Sequence, residues 1–299
     1  MDLGARITLE TSQARVDIAY RGAEMQRFQW RGRDLLWKAD PAIWPWQAPN
    51  LFPIVGALPN DTLDLDGQKY RLPSHGFLRH TICQPAEIAA NRCTFRLDDL
   101  QATRAVYPFS FRLDIGYALE EDRLIITYQL YNPGPGELPA SLGAHPAFAW
   151  PLAPGFAQEA HLIRFELAEP APIRRLDGKL LSPVRQPTPV TGRQLALSRG
   201  LFDADAVIFD QLVSSSLVYG VPGGPGLRLC WQGFPHLGLW SRPGGDFLCI
   251  EPWQGYATPA DFHGPFNEKP GLVHLAHGET RRWRLEIQPL DLFPEETAP

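Results

Sequence analysis

The amino-acid sequence predicts an all-β protein, one large antiparallel β-sandwich spanning residues 1–299. Two observations predict it. Apolar residues recur with a period of two in segment after segment, which marks strands with one buried face. Thirty prolines and 26 glycines punctuate the chain, and hardly any window of about twelve residues sustains a helical stripe without meeting one of them.

In chain order, Val16, Ile18 and Tyr20 alternate first. The clearest run comes next: Phe109, Phe111, Leu113, Ile115, Tyr117 and Leu119 are apolar, with Ser110, Arg112, Asp114 and Gly116 between them. After Glu120-Glu121-Asp122 the apolar set resumes at Leu124, Ile126, Tyr128 and Leu130, so the two segments are predicted to form a hairpin. Shorter alternations follow at Phe165/Leu167, Leu227/Leu229/Trp231 and Trp283/Leu285/Ile287. The run Phe247 to Ile250 is predicted to be a buried strand ending at Glu251. Pro151 to Gly155 and Pro170 to Gly192 are expected to be surface loops. So many strands must bury their apolar faces against another sheet, which gives the sandwich.

Composition narrows the function. With 44 % hydrophobic and 20 % charged residues, the chain has the material for a sizeable core and is not a disordered segment. A single domain is expected, since sandwiches often reach about 200 to 250 residues as one unit. The net charge of −5 argues against nucleic acid, whose binding needs clustered Lys and Arg. No basic N-terminal region precedes an apolar stretch, and no run of about 18 apolar residues occurs. A cytoplasmic chain with no membrane partner is therefore expected. Cys83, Cys93, Cys230 and Cys249 form no Cys-x-x-Cys pair and are expected to be reduced, mostly buried thiols.

Three polar islands carry the chemistry. In Ser74-His75-Gly76-Phe77-Leu78-Arg79, Gly76 permits an unusual backbone angle beside His75. Strand alternation there would put His75, Phe77 and Arg79 on one face. In Gly143-Ala144-His145-Pro146-Ala147-Phe148, small residues surround a histidine and are expected to leave room for a ligand; a turn histidine with no partner is the plain alternative. In Cys249-Ile250-Glu251-Pro252-Trp253, a carboxylate closes a buried strand next to a flat aromatic wall on which a sugar ring could stack. Two imidazoles and a carboxylate in one pocket would suffice for proton transfer without cofactor. No His-x-His or His-Glu-x-x-His spacing supports a metal, no Gly-x-Ser-x-Gly elbow supports a nucleophile, and no Gly-rich phosphate loop is present. Neither a metal nor a cofactor is expected.

At these islands the sequence resembles the aldose 1-epimerase (galactose mutarotase-like) family, in its hexose and hexose-phosphate mutarotase branch. The matching stretches are Trp44 with Asn50-Leu51-Phe52-Pro53-Ile54-Val55-Gly56, His75-Gly76-Phe77-Leu78-Arg79, Tyr107-Pro108-Phe109, Gly143 to Phe148, Asp205-Ala206-Val207-Ile208-Phe209 and Ile250-Glu251-Pro252-Trp253. The resemblance implies a β-supersandwich that interconverts the α and β anomers of an aldose. It implies that Glu251 is the general base at the anomeric hydroxyl, His145 the acid at the ring oxygen, His75 a second histidine at that oxygen, and Asp205 a ligand of sugar hydroxyls. Arg79, Trp253 and Phe148 are expected to complete the substrate site. Many relatives carry an arginine just after the glycine that aligns with Gly56, where this chain has Ala57; Arg79 is expected to compensate. Two other readings stand beside this one: a non-catalytic carbohydrate-binding protein on the same fold, and a glycosidase using Glu251 with Asp205.

Overall fold

The computed structural model describes residues 4–294. Every strand ladder among the described residues is antiparallel. Apart from short 3₁₀ turns, the helical content among them is the four-residue Gln101–Arg104. Three sheets build the body of the molecule. The N-terminal one runs from Arg6–Glu10 to Arg33–Asp34 in four strands.

The largest sheet has nine strands, in the order Gln194–Ala196, Leu162–Phe165, Ser216–Gly220, Gly226–Gln232, Thr280–Leu290, Arg123–Tyr131, Arg112–Glu120, Arg92–Asp98 and Gln84–Ile88. Its centre is the predicted hairpin. Leu113 pairs with Leu130, Ile115 with Tyr128, Tyr117 with Ile126 and Leu119 with Leu124, and all eight side chains are buried. The strand begins at Arg112, so Phe109 and Phe111 lead into it instead of belonging to it. The turn narrows to Glu121-Asp122, where Glu121 takes φ +55°.

The sheet that carries the site has the order Val207–Phe209, His236–Trp240, Phe247–Gln254, Leu142–Ala144, Asn50–Leu51, and Ala147–Ala149 also pairs with Phe247–Gln254. A single buried cluster extends from Ile7 to Ile287 and takes side chains from all three sheets. Each fully buried Leu, Ile or Phe in it contributes about 1.5–3 kcal/mol of transfer free energy, so the sheets are held face to face by apolar burial.

Several sequence expectations are corrected. Leu167 lies beyond the end of its strand and is exposed. The Phe247 strand does not stop at Glu251 but runs through Trp253 to Gln254. Segment 170–192 is not wholly loop, because Leu176–Asp177 and Leu180–Leu181 form a small hairpin. Leu152, within the expected loop 151–155, is buried. All four cysteines are free thiols, three of them buried and Cys230 partly so.

Candidate active site

The site begins with a broken ladder. Gly143 pairs with Trp253 on one side of the break, and Ala147 pairs with Cys249 on the other. Carrying either register across the gap sets His145 opposite Glu251, and His145 Nε2 lies 3.2 Å from Glu251 Oε2. Two prolines open the ladder there. The Ile250 N–H reaches the Pro146 carbonyl at 3.2 Å; backbone donors two residues apart point to the same side of a strand, so the next donor on that side would belong to Pro252, which has none. The His145 N–H turns the other way, to the Pro49 carbonyl at 3.1 Å.

Trp253 lies across its neighbours on the same face. A Cβ on Gly143 would come within 2.6 Å of its Cδ1, and one on Gly238 within 2.3 Å of its Cη2. Both glycines are needed for the indole to lie flat over three strands. Gly143 therefore makes room for a tryptophan ring and not, as the sequence reading expected, directly for a ligand.

His75 and Arg79 come from a turn. Residues 74–77 are not a strand: His75 and Gly76 both take left-handed backbone angles, φ +65° and +70°, and Leu78–His80 is a 3₁₀ turn. A Cβ on Gly76 would meet the Phe52 carbonyl oxygen at 2.2 Å, so only glycine fits. The His75 N–H donates to the Gly56 carbonyl at 2.8 Å, and the Gly56 N–H donates to His75 Nδ1 at 3.2 Å. Because Nδ1 accepts, the neutral ring carries its hydrogen on Nε2. Phe77 points away, against Phe52, Tyr107 and Phe111 in the core. Arg79 Nη2 donates to the Ser74 carbonyl at 3.1 Å, and its guanidinium rests 5.4 Å above the Trp46 ring.

These groups meet in one cavity of about 250 Å³. Glu251, His145, His75, Arg79, Asp205 and Trp253 all line it. Trp44 stacks on His145 at 5.1 Å, Trp240 meets the same imidazole edge-on at 6.0 Å, and His75 approaches it at 5.7 Å. Asp205 is exposed at the rim with φ +63°, and its Oδ1 accepts the Ala206 N–H at 2.6 Å. Arg175 fixes that turn from its carbonyls, donating to Asp205 O at 2.6 Å and Leu201 O at 2.9 Å. The small hairpin supplies Leu176 and Lys179 to the cavity, and Lys179 Nζ lies 3.5 Å from Asp61.

Electrostatics pull the central pair in opposite directions. Burial raises the Glu251 carboxyl well above its ordinary value, the Trp253 indole offsets part of this, and Asp205 adds to it. Burial lowers His145 well below the usual imidazole value, with His75 and Arg79 pushing the same way. Both shifts favour neutral groups, so the pair holds one proton between two sites over a wide pH range. Burial and the Arg79 charge bring His75 down to about 3, which leaves it a neutral donor near neutrality. His145 Nδ1, Glu251 Oε2 and Trp253 Nε1 are buried and make no hydrogen bond of ordinary geometry among the described residues, the approach of His145 Nε2 to Oε2 at 3.2 Å being an ion-pair contact. Unsatisfied polar atoms of this kind cost about 1–3 kcal/mol each, and three at the floor of one cavity mark a place built for a polar ligand.

Of the residues singled out from sequence, only Phe148 fails to reach the cavity. It is fully buried in the main core, opposite Leu248, because strand alternation turns it away from the face that His145 shares. Ala57 is buried and does not line the cavity, whereas Arg79 does. Sequence reasoning did not assign Trp240, Ser74, Ile208, Leu176 or Lys179 to the site. Trp240 closes an apolar run without alternation, and the Leu176 hairpin hid inside a Pro-rich stretch. For a metal, His145, Cys249 and Glu251 each offer one donor atom within 4.8 Å of the others, a grouping that no sequence spacing announced.

A protein family described as Aldose 1-epimerase matches residues 5–288. The chain belongs to the aldose 1-epimerase family. The protein LacX of Lactococcus lactis subsp. lactis, plasmid form, is 31 % identical over 267 residues, covering 86 % of this chain and 89 % of the relative. Among solved structures, a galactose mutarotase related enzyme from Lactobacillus acidophilus superposes with a TM-score of 0.89 at 28 % identity, covering 98 % of this chain and all of that one. A galactose mutarotase-like protein from Lactobacillus casei gives 0.87 at 25 %, covering 96 % and 100 %. The all-β supersandwich expected from the sequence is thus the fold of this aldose 1-epimerase family member.

Proposed function

We propose that this protein is a cofactor-independent aldose 1-epimerase that interconverts the α and β anomers of a free or phosphorylated hexose. The observation that carries the reading is the Glu251–His145 pair, 3.2 Å apart on the floor of an aromatic-walled cavity. That cavity, at about 250 Å³, is smaller than the roughly 300–1,000 Å³ of drug-sized sites, which suits a single sugar ring. Trp253, Trp44 and Trp240 offer the flat apolar faces that sugar C–H surfaces pack against.

Opening a cyclic hemiacetal requires a proton removed at O1 and a proton delivered to O5 as the C1–O5 bond breaks and the aldehyde forms. In this reading the proton the pair holds first passes from Glu251 to His145; the Glu251 carboxylate then takes the O1 proton and His145 gives one to O5. His75 Nε2–H assists at the same oxygen. Rotation about C1–C2 and closure with the roles reversed yields the other anomer, and the pair recovers its proton. Arg79 and Asp205 hold the remaining hydroxyls or a phosphate. The same reading makes the protein a single-domain cytoplasmic enzyme with a small sugar as its partner.

Polarimetry of freshly dissolved aldoses and their 6-phosphates tests it. A faster approach to anomeric equilibrium is expected for at least one of them; no acceleration with any would overturn the reading. The rate should follow a broad bell with pH, since adding a proton to the Glu251–His145 pair or removing one stops the exchange and the two shifts push those limbs apart.

A further inference from the structure

Cys249 takes no part in that exchange, yet it stands beside it. Cys249 and Glu251 are two residues apart on one strand and share a face, and His145 sits across the broken ladder from Glu251. One donor atom from each lies within 4.8 Å of the other two, and all three residues are buried. Imidazole nitrogen, thiolate sulfur and carboxylate oxygen together suit zinc far better than magnesium or calcium. Metal–ligand bonds of about 2.0–2.3 Å place donors about 3.3–3.8 Å apart around one tetrahedral ion, so closure takes side-chain rotations of an ångström or so. His145 Nε2 already faces Glu251 Oε2 at 3.2 Å, close to the separation of two ligands on one tetrahedral ion, and Oε2 makes no hydrogen bond of ordinary geometry among the described residues. Trp37, Trp44, Ala147 and Phe247 pack around Cys249 as an apolar shell, and His145 and Glu251, which line the cavity, border the cluster on its other side.

We propose that His145, Cys249 and Glu251 form a binding site for a soft divalent ion, foremost Zn²⁺, and that its occupancy switches the sugar site off. Binding breaks the Cys249 S–H bond, forms a metal–sulfur bond and displaces the proton that the Glu251–His145 pair holds, so two protons go to water and no electron moves. The lone pairs of Glu251 and His145 become metal ligands and no longer take or give protons. The inhibitory consequence rests on the epimerase reading; the site itself does not.

Cobalt(II) reports the site without any need for activity. The whole protein, stripped with chelator and desalted, is titrated with Co²⁺ beside the Cys249→Ala variant. The wild type is expected to bind one ion per chain with a near-ultraviolet thiolate-to-cobalt charge-transfer band that Zn²⁺ bleaches; the variant is expected to lack it. Mutarotation by the variant should match the wild type without metal, which also shows that it folds, and its half-inhibiting Zn²⁺ concentration should be at least about tenfold higher. Mg²⁺ should do nothing to either. The absence of a thiolate band in the wild type, or equal Zn²⁺ sensitivity of the two proteins, overturns the proposal. A band in a protein that accelerates no sugar would sink the epimerase reading and leave the metal site standing.

Discussion

Two strands at the heart of this molecule are built on opposite terms. Arg112–Glu120 in the nine-stranded sheet alternates: its odd residues are buried, and its even ones, from Arg112 to Ala118, are only partly so. Phe247–Gln254 in the site sheet is buried at every position. Phe247, Cys249, Glu251 and Trp253 face the cavity and its aromatic shell, while Leu248 and Ile250 face the main core. A strand with one wet face can spend all of its polar residues on water. A strand covered on both faces has no wet side, so a carboxylate placed there is desolvated, shifted and available for chemistry. One strand holds the fold, and the other holds a reactive group at the expense of stability.

The sharpest break between them is Glu251→Gln. Turnover is expected to fall about 10³-fold while sugar affinity stays within a few-fold. Stability should hold within about 1 kcal/mol, since the neutral amide relieves a buried acid. Polarimetry, ligand titration and urea melts read the three quantities. Under a binding-only reading the same variant would change affinity modestly and there would be no turnover to lose.

The mirror-image change is Ile115→Ala on the hairpin. Ile115 is buried against its register partners Tyr128 and Phe95, and its truncation should cost about 2–5 kcal/mol. The rate per folded molecule should be unchanged. A large loss of rate without loss of stability would erase the distinction between the two strands.

Glu24 tests the same contrast through pH. Its carboxylate accepts the Gln47 and Ala48 N–H groups at 2.9 and 3.1 Å, pinning the chain that follows Trp44, and burial raises it from 4.5 to about 7. The unfolded chain releases this proton first, so between pH 4.5 and 7 the unfolded state binds fewer protons and stability falls as pH rises. The loss attributable to Glu24 is at most about 3 kcal/mol. Urea melts at a series of pH values should show that slope in the wild type and a flatter one in Glu24→Gln. Parallel profiles would remove Glu24 from the account. The smallest effect belongs to the wet face: Arg112 Nε meets Asp98 at 2.8 Å with both side chains well exposed, and Arg112→Ala should change stability by less than about 1 kcal/mol.

The same contrast explains what was legible. The hairpin could be read with its turn because alternation is written into neighbouring residues. The site strand could be recognised as buried but not bounded, because a run covered on both faces has no period and Pro252 looks like an end. Phe148 was misplaced for a related reason: proximity to His145 along the chain says nothing about which face a side chain takes once the strand resumes at Ala147. His75 and Arg79 were rightly paired in one site, though by a turn with two left-handed residues and not by strand alternation.

The amino-acid sequence by itself determined an all-β fold, its central hairpin and the three islands that hold His75, His145 and Glu251, since strand period, turn residues and short motifs are local properties. Only the tertiary structure decided that His145 stands opposite Glu251, that Gly143 and Gly238 exist to seat Trp253, and that Trp44, Trp240 and Lys179 join the cavity. The physical reason is that ladder register and packing against remote strands depend on pairings across more than a hundred residues, which no local pattern encodes.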